Sequence, residues 1–176
     1  MPSNKKTIYL ARHAKSSWKS HAQTDFDRPL SKRGMKNAAK MGVELAKLNW
    51  KPECVISSPA LRASQTCHIL CENIGFPSDH IVWSRDIYAA YMVTLLHALS
   101  REPETTKSVM LVGHNPAIED LLLHLCGEAI WKDHAQKNGK LFTAGNIAKI
   151  SVDNTWKNLA MGGAKLVKLL RPKELP

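Results

Sequence analysis

The sequence contains few cysteines, and their spacing fits neither a zinc site nor a disulfide framework. It has four, Cys54, Cys67, Cys71 and Cys126, with no Cys-x-x-Cys pair among them. Zinc sites commonly use such pairs, and small secreted domains use dense sets of cysteines. Cys67 and Cys71 lie one helical turn apart beside His68, but helix packing explains that spacing better than a metal site does. We therefore expect buried free thiols.

Long hydrophobic runs are also absent. No apolar segment approaches the roughly 18 residues that a membrane-spanning helix needs. The apolar segment Thr7–Ala11, which follows the charged start of the chain, is too short for the hydrophobic region of a secretory signal peptide. We expect no membrane segment, and a cytoplasmic location is the default expectation.

Aromatic residues make up only 6% of the chain and do not alternate with the basic residues. Proteins that stack nucleic acid bases use such alternation, and no zinc-finger, helix-turn-helix or RNA-binding motif is present. Lys and Arg number 25 against 15 Asp and Glu, and residues 1–50 hold eleven of these basic residues but three acidic ones. This asymmetry favours an acidic protein partner or an anionic small substrate over nucleic acid.

Length and composition fit one globular domain over residues 1–176, with 44% apolar and 23% charged residues. A chain of this length buries about 70% of its unfolded surface. Short apolar runs alternate with amphipathic stretches, which predicts an α/β layer architecture with largely parallel strands. Strands are predicted at Thr7–Ala11, Cys54–Ser57, Ile81–Trp83 and Val109–Val112.

Capping residues predict where the helices begin. Ser31 is the expected N-cap of the first helix, and Ser58 caps the second, with Pro59 in its first position. In a later helix, Asn115 is the expected N-cap and Pro116 the expected first residue. The remaining helix bounds are predicted near Gly75, at Tyr91 and Ser100, and near Gly127.

The last third of the chain is less regular. Ile147–Val152 and the segment around Trp156 predict an antiparallel pair that turns at Asp153–Asn154. Trp131–Ala144 predicts a loop, and Lys165–Leu170 fits a strand or a helix equally well.

Three predicted strand-to-helix junctions carry cationic or imidazole side chains: Arg12 with His13, then Arg62, then His114. In open α/β sheets, ligands bind at the carboxyl ends of the strands, where helix N-termini offer free N–H groups to anions. Arg62 lies in the first turn of its helix, where the helix dipole disfavours a cation by roughly 0.3 to 1 kcal/mol unless an anion is bound nearby. The pattern predicts a site for a phosphoryl group.

Each of these residues also has an ordinary structural explanation when it is considered alone. His13 can end a strand with its ring nitrogens bonded to the backbone. Arg12 and Arg62 can form surface ion pairs, and His114 can simply begin a helix. Their joint occurrence at three junctions favours the phosphate site.

Four ordered motifs surround these junctions: Arg12–Trp18 (RHAKSSW), Asp27–Gly34 (DRPLSKRG), Ser57–Thr66 (SSPALRASQT) and Val112–Pro116 (VGHNP). Together they resemble the histidine phosphatase superfamily and, more narrowly, the small SixA-type phosphohistidine phosphatases, over residues 6 to about 172. The resemblance implies a phosphoglycerate-mutase-like three-layer sandwich with a mainly parallel central sheet and helices on both faces. It also favours a strand for the segment at 165–170.

The resemblance further implies that His13 is the nucleophile and takes the phosphoryl group as a transient phosphohistidine. No metal or cofactor is implied, because arginines supply the positive charge in a geometry that suits phosphate oxygens. The other implied site residues are Arg12, Arg62 and His114 around the phosphate, with Arg28 and Asn115 as substrate-binding residues.

The sequence departs from the wider superfamily in two places. Ala14 follows the Arg-His pair where many members have glycine, a change that several SixA-like members share. No motif fixes the general acid that larger members use, and the nearest candidate, Asp86, fits a solvated acid of a loop or helix start equally well. A missing acid favours a leaving group that needs little protonation, such as the nitrogen of phosphohistidine.

We therefore expect a metal-independent hydrolase that works through a phosphohistidine intermediate, in the first place a protein phosphohistidine phosphatase. The alternatives are a phosphatase for a small phosphate ester, a phosphoglycerate-type mutase and a noncatalytic phosphate-binding module. The expected partner is a phosphorylated protein or a small phosphorylated substrate, with neither nucleic acid nor a membrane involved.

Overall fold

Strands and helices alternate along the computed structural model, which describes residues 5–176. The strands are β1 (Lys5–Arg12), β2 (Cys54–Ser57), β3 (Val82–Trp83), β4 (Ser108–Gly113), β5 (Ile147–Asp153) and β6 (Ala164–Leu170). The helices are α1 (Lys32–Lys47), α2 (Leu61–Ile74), α3 (Met92–Ser100), α4 (Ala117–Cys126) and α5 (Ala129–His134). The four strands that sequence patterns predict in the first two thirds of the chain are confirmed.

Within residues 5–176, the strands form one sheet in the order β3-β2-β4-β1-β5-β6. Neighbouring strands from β3 to β1 are parallel, whereas β5 is antiparallel to both β1 and β6. Because the parallel strands share a direction, the carboxyl ends of β1, β2 and β4 lie along one edge of the sheet. The mainly parallel sheet of the predicted fold class is confirmed.

Helices cover both faces of the sheet because the side chains of its central strands alternate between two apolar clusters. Ile8 of β1 and Leu111 of β4 pack on one face with residues of α3 and α4. Tyr9 and Met110, one position away on the same strands, pack on the other face with residues of α1 and α2. The continuous apolar run of β4 is thus explained by burial on both faces, and the three layers are confirmed.

The predicted cap of α1 is confirmed, but two others are wrong. The hydroxyl of Ser31 accepts a hydrogen bond from the backbone N–H of Gly34 at 3.0 Å. The second and fourth helices begin at Leu61 and Ala117, and neither has a side-chain cap bond. The predicted capping groups have other partners: the Ser58 hydroxyl contacts His114, and the Asn115 amide donates to Phe142. Pro59 and Pro116, predicted as first helical residues, precede their helices.

The C-terminal part differs from expectation in two places. Trp156 lies in the short turn Trp156–Asn158 rather than in a strand, and β5 pairs with β1 and β6 instead. The side chain of Trp156 is fully buried. Its indole N–H donates a hydrogen bond to the carbonyl oxygen of Thr106 at 2.9 Å. Helix α5 lies partly within the predicted loop at 131–144, whereas the strand at 165–170 is confirmed.

The cysteines of the described chain are free thiols, as expected, but Cys54 and Cys126 are only partly buried. Cys67 and Cys71 are buried on α2, and their Sγ atoms lie 3.9 Å apart. In residues 5–176, no helix has the length and apolar character needed to cross a membrane.

Gly34 allows the first turn of α1 to lie directly against the loop that follows β1. A Cβ atom at this position would lie 2.0 Å from the carbonyl oxygen of Lys15. The same oxygen accepts hydrogen bonds from the backbone N–H and the hydroxyl of Ser31, at 2.8 and 3.0 Å. The close approach thus holds the loop after β1 against the helix, and neither backbone can move away without breaking these bonds.

Replacing Gly34 by Ala should therefore destabilise the fold by about 1 to 3 kcal/mol, the usual cost of forcing an extra carbon into a packed contact. Urea denaturation followed by circular dichroism measures this loss. Lys36→Ala, at an exposed position of the same helix, is the matched control. Equal denaturation midpoints for the two variants would contradict the tight contact.

Candidate active site

The residues that follow β1, β2 and β4 are held beside one another at the carboxyl edge of the sheet. The backbone N–H of His13 donates to the carbonyl oxygen of Gly113 at 3.0 Å, and that of Ser58 donates to Val112 at 3.0 Å. These bonds continue the pairing of β1 and β2 with β4 by one residue past the end of each strand. The loops that follow the three strands therefore begin from fixed positions.

The ring of His13 is held in one tautomer. Its Nδ1 lies 2.7 Å from the carbonyl oxygen of Ala14, and since such an oxygen only accepts hydrogen bonds, Nδ1 carries the proton. Nε2 accepts a hydrogen bond from Nε of Arg62 at 3.3 Å. Burial lowers the pKa of His13 from 6.5 to about 4; the bond to Ala14 opposes this, and the nearby arginines add to it. At neutral pH, Nε2 is therefore unprotonated.

His114 lies against the ring of His13, with 5.0 Å between the ring centroids. Its Nε2 is 2.8 Å from the hydroxyl oxygen of Ser58, while its buried Nδ1 has no hydrogen-bond partner among residues 5–176. Burial, followed by the charges of His13 and Arg62, lowers the pKa of His114 from 6.5 to about 3. Leaving a buried ring nitrogen without a hydrogen-bond partner is energetically costly.

A cavity of about 260 Å³ lies beside His13. Arg12 donates from Nη1 to the carbonyl oxygen of Phe142 at 2.9 Å, and its buried Nε has no partner within the described residues. Arg62 is 7% exposed, so its charge is poorly solvated. The cavity is lined by Arg12, His13, Lys15, Ser16, Trp18, Arg28, Arg62 and Ala144.

Arg28 reaches this cavity from the loop that precedes α1. Its guanidinium carbon lies 3.4 Å from the centre of the Trp18 ring, a stacked arrangement that arginine favours. Its Nη2 donates to the hydroxyl of Ser16, and its Nε donates to the carbonyl oxygen of Ser17 at 3.3 Å. These contacts fix the orientation of a long, flexible side chain at the mouth of the cavity.

Asp25 joins the arginines of the cavity, and sequence analysis did not single it out. Its carboxylate accepts hydrogen bonds from Arg62 at 2.9 Å, from Arg28 at 2.6 Å and from the hydroxyl of Tyr88 at 2.9 Å. Desolvation raises the pKa of Asp25, but the bonds from Tyr88 and Arg62 and the charge of Arg62 outweigh it, so the pKa is lowered. Asp25 is therefore an anion that offsets part of the positive charge of Arg28 and Arg62.

The sequence contained one indication of Asp25: it lies three residues before Arg28, a spacing at which an acidic and a basic residue can form an ion pair. Its bond to Arg62 crosses 37 positions of the chain, and only the folded loop reveals it. Tyr88 was missed for the same reason, since it comes from a separate loop.

Three predicted site residues, His114, Asn115 and Asp86, are not part of the cavity lining, although His114 contacts the ring of His13. Asn115 donates from Nδ2 at 2.9 Å to the same Phe142 carbonyl oxygen that Arg12 contacts, so it supports the position of that loop. Asp86 is exposed in the short turn Arg85–Ile87. None of the hydrogen bonds or ion pairs that the described residues make to His13, Arg62 or His114 comes from Asp86. Substrate binding by Asn115 and proton donation by Asp86 stay predictions.

No group of three or more His, Cys, Asp and Glu side chains in residues 5–176 is arranged to hold a metal ion. The charged residues around His13 are three arginines, Lys15 and the carboxylate of Asp25. This set of donors suits a tetrahedral oxyanion, whose oxygens accept hydrogen bonds from arginine in a forked geometry.

Comparison with known proteins agrees with this geometry. The family description for the histidine phosphatase superfamily, branch 1, matches residues 8–87, which include His13, Arg28 and Arg62. The fold and these comparisons together support a phosphatase. The chain belongs to the histidine phosphatase superfamily.

Individual relatives are similar over nearly the whole chain. A chloroplastic protein of Arabidopsis thaliana is 30% identical over 94% of this chain and 77% of its own length. A structure assigned as the phosphohistidine phosphatase SixA of Agrobacterium tumefaciens is 27% identical, with a TM-score of 0.80 over 98% of this chain and 99% of that one. A protein histidine phosphatase SixA complexed with tungstate shares the fold, at 22% identity and a TM-score of 0.77 over 95% and 97% of the two chains.

The lowered pKa of His13 predicts a ring that stays neutral well below pH 6.5 and takes up its second proton near pH 4. Nitrogen-15 NMR of the histidine rings should show an Nδ1–H tautomer at pH 6, with the signal assigned by its loss in His13→Asn. Since the unfolded chain binds this proton first, stability should fall as the pH drops from about 6.5 to about 4. A doubly protonated His13 at pH 6 would refute the assignment.

The contacts of Asp25 predict that its carboxylate competes with anions for the arginines. Asp25→Asn keeps the size of the side chain but removes its charge, so inorganic phosphate should bind about fivefold more tightly, the effect of one partly exposed ion pair. Competitive inhibition by phosphate measures this affinity. Asp27→Asn, an exposed acid two positions away, serves as the control. Weaker phosphate binding in Asp25→Asn would show that the carboxylate instead organises the arginines for the ligand.

Proposed function

We propose that this protein is a metal-independent phosphohistidine phosphatase of the SixA type, which removes phosphoryl groups from histidines of other proteins. The observation that carries the proposal is the unprotonated Nε2 of His13, held 3.3 Å from Arg62 and beside the ring of His114. An oriented nucleophile surrounded by guanidinium groups is what transfer of a phosphoryl group requires, because the developing charge lies on the phosphate oxygens.

In the first step, Nε2 of His13 attacks phosphorus in line with the bond to the leaving group. The new N–P bond forms as the bond to the substrate nitrogen breaks, and the departing nitrogen keeps that electron pair. Arg12, Arg28 and Arg62 hold the phosphate oxygens. Nδ1–H of His13 stays bonded to Ala14, which stabilises the positive charge that the ring gains when Nε2 becomes phosphorylated.

In the second step, water attacks the phosphorus of the phosphorylated His13. The Nε2–P bond breaks, its electron pair returns to Nε2, and one proton of the water is released as inorganic phosphate forms. The enzyme regains the neutral ring with which it began. The same arginines hold the oxygens in both steps, since both displacements take place at one phosphorus atom.

The proton supply of the site favours phosphohistidine over a phosphate ester. An alkoxide leaving group needs an acid close to the breaking bond, but Asp25 is kept ionised by its contacts and Asp86 lies exposed on a separate turn. An imidazole that carries a proton on its other ring nitrogen leaves as a neutral molecule without such help. The alternative, an ester phosphatase, needs Asp86 or a water molecule to supply the proton.

The shape of the site supports a protein substrate. The catalytic cavity has a volume of about 260 Å³, less than the roughly 300 to 1,000 Å³ typical of pockets that enclose a drug-sized molecule. Trp18, at its rim, is 80% exposed. A small open cavity can receive a phosphorylated side chain from the surface of a partner without enclosing the rest of it.

The proposal predicts that a phosphohistidine protein is hydrolysed with a higher kcat/KM than a phosphoserine peptide or an aryl phosphate. Phosphate release from the three substrates at equal concentrations measures the order. A preference for either ester would contradict phosphohistidine as the substrate, and formation of an isomer of a phosphorylated sugar acid in excess of phosphate would identify a mutase instead.

His13→Asn should abolish turnover of every substrate without changing the circular dichroism spectrum, because the amide nitrogen of asparagine cannot act as the nucleophile. Rapid quenching of the unaltered enzyme with labelled substrate should trap a phosphoenzyme that is acid-labile and stable in base, as expected of phosphohistidine. His80→Asn, at an exposed position away from the cavity, is the matched control. Full activity of His13→Asn would rule out the covalent mechanism.

A further inference from the structure

A second cavity, of about 370 Å³, adjoins the catalytic one. Lys15 and Ala144 line both cavities, so the two cavities adjoin at these residues. The other walls come from the first turn of α1, the loop at 136–146 and the C-terminal segment at 171–174. The reaction described above assigns no part to this cavity.

The second cavity is strongly cationic. Five of its lining side chains, Lys15, Arg33, Lys140, Arg171 and Lys173, are basic, and one, Glu174, is acidic. Glu174 pairs with Arg171 at 3.0 Å, whereas the other four basic residues form no ion pair with any of the residues 5–176. The cavity therefore keeps an excess of positive charge that nearby carboxylates do not neutralise.

Two features of the cavity are unfavourable for the protein unless an anion binds. Arg33 stands in the first turn of α1, which contains no acidic residue, although the helix dipole disfavours cations there. Asn146 is fully buried, and its Nδ2 has no hydrogen-bond partner among the described residues. Buried donors are rarely left unpaired in proteins. Both features would be relieved by a ligand that brings negative charge and accepts hydrogen bonds.

We propose that this second cavity binds a second anionic group of the substrate, a carboxylate or a phosphate, while the reacting phosphoryl group lies against His13. The inference rests on the proposed function, because it places the phosphoryl group in the adjoining cavity. Lys15, which lines both cavities, can contact both anions. The second anion can belong to an acidic side chain near the phosphohistidine of a protein or to a small compound with two anionic groups.

The test removes charge from the second cavity alone. Lys140 and Lys173 are exposed and line this cavity but not the catalytic one, so the double variant Lys140→Gln/Lys173→Gln leaves the residues around His13 in place. The matched control, Lys51→Gln/Lys157→Gln, removes two charges at exposed positions outside both cavities. Circular dichroism verifies that both variants are folded.

Two pairs of substrates distinguish the sources of the anion. The first pair is a phosphohistidine peptide flanked by Glu residues and the same peptide with Gln in their place. The second pair is an aryl phosphate with and without a carboxylate on its ring. The cavity variant should raise KM about tenfold for the anionic member of at least one pair, with kcat unchanged, and leave the neutral members and the control variant unaffected. Which pair responds identifies the source.

Equal KM changes for anionic and neutral members, or no change for either pair, would overturn the inference. Its failure can be told apart from failure of the proposed function by calorimetric titration of the unphosphorylated Glu-flanked peptide, which requires no turnover. Weaker binding of this peptide to the cavity variant than to the control supports the second site even if no phosphohistidine is hydrolysed. Equal binding to the two variants, together with unchanged KM values, excludes it.

Discussion

The hydrogen bond from Nδ1 of His13 to the carbonyl oxygen of Ala14 determines how the rest of the site can work, because it decides which ring nitrogen is free. It is part of a longer path. The backbone N–H of Ala14 donates to the hydroxyl of Thr66 at 3.1 Å, and that hydroxyl donates to the carbonyl oxygen of Arg62 at 2.7 Å. His13 and Arg62 are thereby connected through buried groups of α2 and of the loop after β1. Neither side chain can turn without disturbing the other.

The same site concentrates like charges, and the protein tolerates this in three ways. The imidazoles of His13 and His114 stay neutral at physiological pH, so they add no charge. Asp25 supplies one carboxylate to two arginines. Hydrogen-bond donors that have no protein partner, such as Nε of Arg12, can bind a ligand that carries negative charge. Under the proposed function, the phosphoryl group supplies the acceptors and the negative charge that these residues lack among themselves.

Sequence patterns predicted the features of the fold that depend on local chemistry. The strand β4 was recognisable because every residue from Val109 to Val112 is buried, and the Ser31 cap was recognisable because its partner lies three positions away. The predicted caps Ser58 and Asn115 failed because their polar groups bond to His114 and Phe142, which are distant in sequence. Patterns within one segment carry no information about such partners.

The motifs also contain residues whose work is structural, which explains why they extend beyond the reacting groups. Gln65 accepts a hydrogen bond from the backbone N–H of Leu30 at 2.7 Å, and this holds the loop of Arg28 against α2. Gly145, which lies outside the four motifs and has a φ of 82°, donates its backbone N–H toward the carbonyl oxygens of Arg12 and His13 at 3.2 and 3.0 Å.

A Cβ atom on Gly145 would lie 3.0 Å from Cγ of Pro172 and 3.8 Å from Ala14. This one residue therefore packs between the backbone that carries His13 and the C-terminal segment that lines the second cavity. Protein interiors are closely packed. A shift of the C-terminal segment would therefore also press on the loop after β1. The two cavities therefore share Lys15 and Ala144 in their walls, and Gly145 packs against Pro172, which lines the second cavity.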